Sequence, residues 1–317
     1  MQQSRRQFVR TLFVATQAAA LGSLLPRALL AAEPARWGLN FLALGDWGRG
    51  GEKKQTAVAT HMGHAASQDQ AQFIISVGDN FYENGVASVN DPHWQKSFEQ
   101  VYTAPALQVP WHAILGNHDY HGNCDAQIDY HQTSPRWNMP ARYYRRTERI
   151  DAANSVDFFY LDTTPMVATK DDPAIPATNL QSQDVAKQIA WLETALAAST
   201  APWKIVVGHH PIYSGGVHGD TPFLIQHVLP LLEKYQVQAF INGHDHDLQH
   251  LQAGKVNLFC TGGGSTPRDL VLPTKRTKFG RGTSGFIAAT LSPDQLAVRM
   301  IDETGKTLYT ANVPRQA

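Results

Sequence analysis

Apolar residues in this chain gather in short runs, and five of those runs are each closed by a glycine-containing polar turn. FLAL (41–44), FIISV (73–77), HAIL (112–115), KIVV (204–207) and QAFIN (238–242) read as buried strands. Between them the pattern is helical near 52–68, 93–102, 124–133, 184–198 and 222–235. Arg142–Arg146 and Val156–Leu161 read as further strands, and Thr163–Ser182 as a polar, proline-containing, solvated loop. After 242 the alternation gives way to strands alone, at 256–260, 285–291 and 296–311, with turn signals at Ser292-Pro293 and Thr304-Gly305. The expected architecture is an α/β sandwich of two largely β layers with helices outside.

The segments that follow the five runs hold the chemistry. They are Gly45-Asp46-Trp47-Gly48, Gly78-Asp79-Asn80-Phe81-Tyr82, Gly116-Asn117-His118-Asp119, Gly208-His209 and Gly243-His244-Asp245-His246. Ligands in α/β sheets bind where strands end, so the five segments are expected to converge on one crevice. Aspartate and histidine offer oxygen and nitrogen to borderline metals, and glycine lets the turns approach closely. Any one of these turns could be an ordinary loop; that reading does not explain all five in series.

The 317 residues suit one large α/β domain, with no linker, low-complexity stretch or internal repeat. Lys and Arg (27) balance Asp and Glu (27), and no basic face for nucleic acid is evident. The N-terminus stands apart. Ser4-Arg5-Arg6-Gln7-Phe8-Val9 precedes an Ala/Leu-rich run ending near Leu30-Ala31-Ala32. Residues 1–32 read as a twin-arginine (Tat) export signal, and 33–317 as one catalytic domain. The alternative is a basic amphipathic helix that stays on the protein. Pro26 and Arg27 interrupt the run, so no stable membrane anchor is expected. Cys124 and Cys260 could form a disulfide in an exported protein, or remain two buried thiols.

GDNFYENGV, VPWHAILGNHD, AQIDYHQTSPRWNMPARYY and GHDHDLQ, together with the five turns, resemble the purple acid phosphatases. These belong to the calcineurin-like metallophosphoesterase superfamily, and the resemblance is to their small, tartrate-resistant type. It runs from about Phe41 to about Gly263 and implies a metallophosphoesterase fold, two mixed β-sheets flanked by helices. It implies that Asp46, Asp79, Tyr82 and His246 hold one metal, and that Asp79 bridges to a second held by Asn117, His209 and His244. A phenol has a pKa of about 10, so binding Tyr82 as phenolate suits Fe(III), with Fe(II), Zn(II) or Mn(II) as the divalent partner. The implied reaction is hydrolysis of small-molecule or protein phosphomonoesters by metal-bound hydroxide, in a periplasmic or secreted enzyme.

His118, with Asp119 orienting its ring, is the first candidate to protonate the leaving alkoxide, and His218 the second. Such an acid must be protonated, which predicts an acidic optimum. The resemblance breaks before His218, where Val217 replaces an acidic residue, leaving substrate charge preference open. The other histidines, His61, His64, His121, His210, His227 and His250, read as surface, packing or supporting residues. Two rivals remain: a phosphodiesterase on the same metals, and a phosphate-binding or redox-active di-iron protein.

Overall fold

The computed structural model describes residues 38–168, 175–271 and 274–316. The expected export signal lies outside the described residues. In chain order the elements are β1 (Leu39–Leu44), α1 (Lys53–Asp69), β2 (Phe73–Ser76), β3 (Trp111–Ala113), α2 (Cys124–Asp129), β4 (Trp137–Asn138), β5 (Tyr144–Arg149) and β6 (Ser155–Tyr160). Then come α3 (Thr164–Val167), α4 (Ala177–Gln181), α5 (Val185–Ala197), β7 (Trp203–Val207), α6 (Pro222–His227), α7 (Leu229–Lys234) and β8 (Ala239–Asn242). The chain closes with β9 (Leu248–Ala253), β10 (Val256–Thr261), β11 (Thr277–Arg281), β12 (Gly285–Leu291), β13 (Gln295–Asp302) and β14 (Thr307–Pro314).

These strands build two mixed seven-stranded sheets, ordered β14-β13-β12-β1-β2-β3-β4 and β11-β9-β10-β8-β7-β6-β5. Side-chain alternation explains the layering. Along β1, Leu39, Phe41 and Ala43 enter the core between the sheets, while Leu42 and Leu44 face the outer helical layer. Along β7, Ile205 and Val207 point inward and Val206 meets the layer of α5–α7. Strands buried on both faces read as continuous apolar runs, which is why these were legible. β1, β2, β3 and β4 run parallel, as do β6, β7, β8 and β10, so each sheet presents a row of C-terminal strand ends.

Several elements differ from expectation. The 222–235 helix is two short helices, because Pro230 near the start of α7 cannot donate to the preceding turn. The 93–102 helix is a single π-helical turn at Trp94–Glu99, where Gln100 N reaches Gln95 O. The Thr163–Ser182 segment carries α3 and α4, and Asn179 Nδ2 ties it to the carbonyls of Tyr120 and Gly122 (2.8 Å each). Cys124 and Cys260 are separate buried thiols, lying near the Asp119 carbonyl and the Gly243 and Asp245 carbonyls respectively.

His112 on β3 is buried between the sheets, against Phe73 and Tyr160, and its Nε2 has no partner among the described residues. Burial, aided by the charge of Arg146, pushes its imidazole down to about 3. The unfolded chain takes up this proton near 6.5, so the folded state loses stability as pH falls from there towards 3. At pH 4 the loss from this group is about 3 kcal/mol. His112→Leu should therefore show a smaller fall in Tm between pH 7 and pH 4 than the parent protein; equal falls would refute it.

Candidate metal centre

The polar turns after β1, β2 and β3 meet those after β7 and β8 at one edge of the sandwich. Backbone hydrogen bonds fasten them together: Asp46 N to Gly78 O (3.0 Å), Trp47 N to Asp79 O (3.3 Å) and Gly243 N to His209 O (3.0 Å). Asp46, Asp79 and His244 have φ of 61°, 50° and 70°, the left-handed region that L-residues rarely hold. Each of these turns reverses the chain within two or three residues of a strand, and that reversal aims the side chain back over the strand ends. Two glycines make room. A Cβ on Gly116 would stand 2.2 Å from Asp79 Oδ1, and one on Gly243 2.4 Å from Asp46 Oδ2.

The donor atoms converge on the Tyr82 hydroxyl. It lies 2.9 Å from Asp46 Oδ1, 2.8 Å from Asp79 Oδ2 and 3.0 Å from His246 Nε2. The other oxygen of Asp79 faces a second group: His209 Nε2 is 3.4 Å from Asp79 Oδ1 and 3.2 Å from Asn117 Oδ1. One ligand atom each from Asp46, Asp79 and His209 lie within 4.8 Å of one another. His244 completes the second group's surroundings, its ring 5.2 Å from that of His209. Behind the site, His209 Nδ1 donates to Val77 O (2.9 Å) and His246 Nδ1 to Thr266 O (2.9 Å). Those bonds turn both Nε2 atoms inward, the arrangement a metal ligand needs.

The charge state of these residues asks for a cation. Burial, then Asp46 and Asp79, push the Tyr82 phenol well above its ordinary value. Burial alone would raise the Asp79 carboxyl, but His209 holds it well below the carboxylate range. Burial would lower His209; Asp79, by charge and hydrogen bond, instead brings it up to about 9. The proton on His209 thus offsets the Asp79 charge, and the proton kept on Tyr82 prevents a further anion beside it, a job that metal cations could take over. Two carboxylates and a phenol suit a hard, highly charged ion; imidazoles with a neutral amide oxygen suit a divalent one. The residues present fit a metal centre, with Asp79 facing both groups of donors.

The proton-donor candidates are placed differently from expectation. Asp119 does not orient His118. Its buried carboxylate accepts from Gly116 N (2.8 Å), Asn80 N (3.0 Å), Phe81 N (3.2 Å) and Gln127 Nε2 (2.8 Å), so it fastens the β2 and β3 turns to each other. Adjacency along a turn does not make side chains face one another. Glu83 has the orienting role: its carbonyl accepts from His118 Nδ1 (2.7 Å), and its carboxylate pairs with Arg49 Nη1 (2.6 Å). Arg49 also lies over the Tyr82 ring, 3.8 Å from its centroid. Arg49 and Glu83 carry no motif of their own, although each lies within three residues of a candidate ligand.

His218 sits on the His244 ring (4.1 Å between centroids), its amide held by Asp245 Oδ1 (3.0 Å). Its Nε2 faces Arg268 Nη1 at 2.5 Å. Burial lowers its pKa, opposed by Asp245 and reinforced by Arg268. Guanidinium has no lone pair to offer, so Nε2 is the acceptor there and cannot donate a proton from the same position. Asp245 also accepts from Ser214 Oγ, tying the 214–219 loop to the β8 turn, and His210 pairs with Thr163 Oγ1 (2.9 Å) as a packing residue.

The calcineurin-like phosphoesterase family matches residues 39–248. Tartrate-resistant acid phosphatase type 5 of Sus scrofa is 37% identical over 305 residues, 88% of each chain. Purple acid phosphatase 7 of Arabidopsis thaliana is 37% identical over 289 residues, 88% of this chain and 87% of that one. Among solved structures, GAP50, described as the anchor in the inner membrane complex of Plasmodium, superposes with a TM-score of 0.79 at 26% identity, over 89% of this chain and 90% of its own. A purple acid phosphatase from yellow lupin shares the fold at 16% identity (TM-score 0.65, covering 88% and 54%).

Proposed function

Because this chain belongs to the calcineurin-like phosphoesterase family, and within it to the purple acid phosphatases, we propose that it hydrolyses phosphomonoesters at a dinuclear Fe(III)–M(II) centre after export by the twin-arginine route. The observation that carries this reading is the convergence of Asp46, Asp79 and His246 on the Tyr82 hydroxyl. When bound, the two cations would supply Lewis acidity, polarising the phosphoryl oxygens and lowering the pKa of water. Asp46, Asp79, Tyr82 and His246 would hold the trivalent ion; Asp79, Asn117, His209 and His244 the divalent one, taken as Fe, Zn or Mn.

The remaining chemistry falls to the chain's own side chains. His118 is held through Nδ1 by the Glu83 carbonyl, an acceptor that suits the imidazolium as well as the neutral ring. Nε2, on the opposite edge, delivers the proton to the departing oxygen. A proton donor in this position must carry the proton it gives up, which favours acid conditions. His218, as an acceptor from Arg268, is the weaker proton donor and the better placed to position substrate. Export is supported by Ser4-Arg5-Arg6-Gln7-Phe8 and the apolar run after it.

The likeness to a protein described as an anchor keeps one rival in view, a fold of this kind serving as a binding scaffold. One experiment separates the readings. Expressed with its full N-terminus, the protein should be recovered outside the cytoplasm with iron bound. It should cleave p-nitrophenyl phosphate faster than the bis-ester, with an optimum below neutrality. A visible phenolate-to-iron absorption band should be missing in Tyr82→Phe. Preference for the diester would overturn the substrate class, and metal binding without turnover would favour the scaffold.

A further inference from the structure

Three separate contacts fix Tyr82. Its hydroxyl lies in the donor cluster. Its backbone is pinned where the amide donates to Gly48 O (2.8 Å) and the carbonyl meets His93 Nε2 (2.6 Å). The ring is the third. The Arg49 guanidinium carbon stands 3.8 Å from its centroid, and the His118 ring lies against it at 4.4 Å between centroids. Tyr82 is buried and the Arg49 side chain is 16% exposed, so cation and ring meet with little access for water. Contacts of this kind strengthen when desolvated.

Arg49 is held over that ring by its other edge. Nη1 pairs with Glu83 Oε1 (2.6 Å), while Nε is buried with no hydrogen-bond partner among the described residues. Glu83 in turn meets His118 twice: its carbonyl accepts from Nδ1 (2.7 Å), and its Oε2 lies 3.8 Å from the same nitrogen. Arg49 therefore touches the phenol directly and the imidazole through Glu83. The turn that carries Arg49 does not depend on its side chain. Arg49 N (3.1 Å) and Gly51 N (2.9 Å) both donate to Gln55 Oε1, and Gly50 N donates to Ser97 Oγ (2.7 Å). An ion pair whose carboxylate is 64% exposed adds little stability, so the fold alone does not explain where the guanidinium sits.

We infer that Arg49 is a positioning residue coupling the two halves of the site: its charge acts on the Tyr82 ring, and through Glu83 it keeps His118 aimed. The inference rests on the phosphatase reading and adds a residue to it. A positive charge over the ring lowers the energy of the π-electrons, most of all when the phenol is ionised and the ring shares its negative charge. Taking the charge away raises those electrons and narrows their gap to an empty iron orbital, so longer wavelengths are absorbed.

The test uses the iron-loaded full chain. In Arg49→Met, which keeps an apolar stem without the charge, the phenolate-to-iron band should move to longer wavelength. The alkyl phosphate kcat should fall about 10–100-fold, the usual cost of losing such a supporting contact, with a smaller fall for p-nitrophenyl phosphate. Arg49→Lys should return the band most of the way but recover less of the alkyl rate, since a point charge does not grip ring and carboxylate together. Glu83→Gln, which keeps the carbonyl, should lower the alkyl-to-aryl rate ratio on its own. An unmoved band in Arg49→Met overturns the action on the ring, and an unchanged ratio in both Arg49→Met and Glu83→Gln overturns the link to His118. A parent protein with no such band that cleaves neither ester would end the phosphatase reading. The ring contact is then judged on the metal-free chain, where the losses of Tm in Arg49→Met and Tyr82→Leu should be non-additive, and additivity overturns it.

Discussion

Asp79→Asn is expected to cost about three orders of magnitude or more in kcat/KM and to release at least one metal, while the protein stays folded. Asp79 alone faces both halves of the centre, with Oδ2 toward Tyr82 and Oδ1 toward His209. Asn has nearly the same size and can still accept the His118 amide that now bonds Oδ1 (2.9 Å). What it lacks is the negative charge that two cations would share. Metal content by elemental analysis, kcat/KM and the Tm of the metal-free form together check this. Full metal content with full activity would remove Asp79 from the bridging position; a collapsed Tm would mean it is chiefly structural.

His118→Ala should lower kcat by about 10²–10⁴ for an alkyl phosphate and by much less for p-nitrophenyl phosphate. A nitrophenolate departs without needing a proton, whereas an alkoxide does not. Metal content should be unchanged, since the His118 side chain bonds the Glu83 carbonyl and not the donor cluster. Equal losses on the two substrates would mean that the ring supports the loop rather than donating a proton. The fall in activity with rising pH should also disappear from the alkyl phosphate profile of the variant.

Those residues are legible in the sequence because a two-sided strand and a glycine turn both leave strong local marks. Leu44, Ile75 and Val207 stand in unbroken apolar runs, and the turns after them can hardly be anything but strand ends. Glu83 and Arg49 left no such mark, since one acts through a backbone carbonyl and the other by stacking. The same holds for Asp119: Asn80 and Phe81 lie on the β2 turn and Gln127 on α2, and adjacency to His118 says nothing about direction. β9 escaped as a strand because it buries Gln249 and His250, polar residues satisfied by Ser214, Asp247, Tyr309 and Asn257. β11 is a polar strand at the end of its sheet, where pairing to β9 alone imposes no apolar pattern.

The left-handed turns at Asp46, Asp79 and His244 set folding against chemistry at the same three positions. Glycine would relieve about 1 kcal/mol of backbone strain at each of them and would also withdraw an ionisable side chain from the site. A library of this protein sorted for thermal resistance alone would thus drift toward glycine there and enrich inert survivors. Breeding a hardier version calls for scoring bound iron in every round, with codons 46, 79 and 244 left out of the diversity.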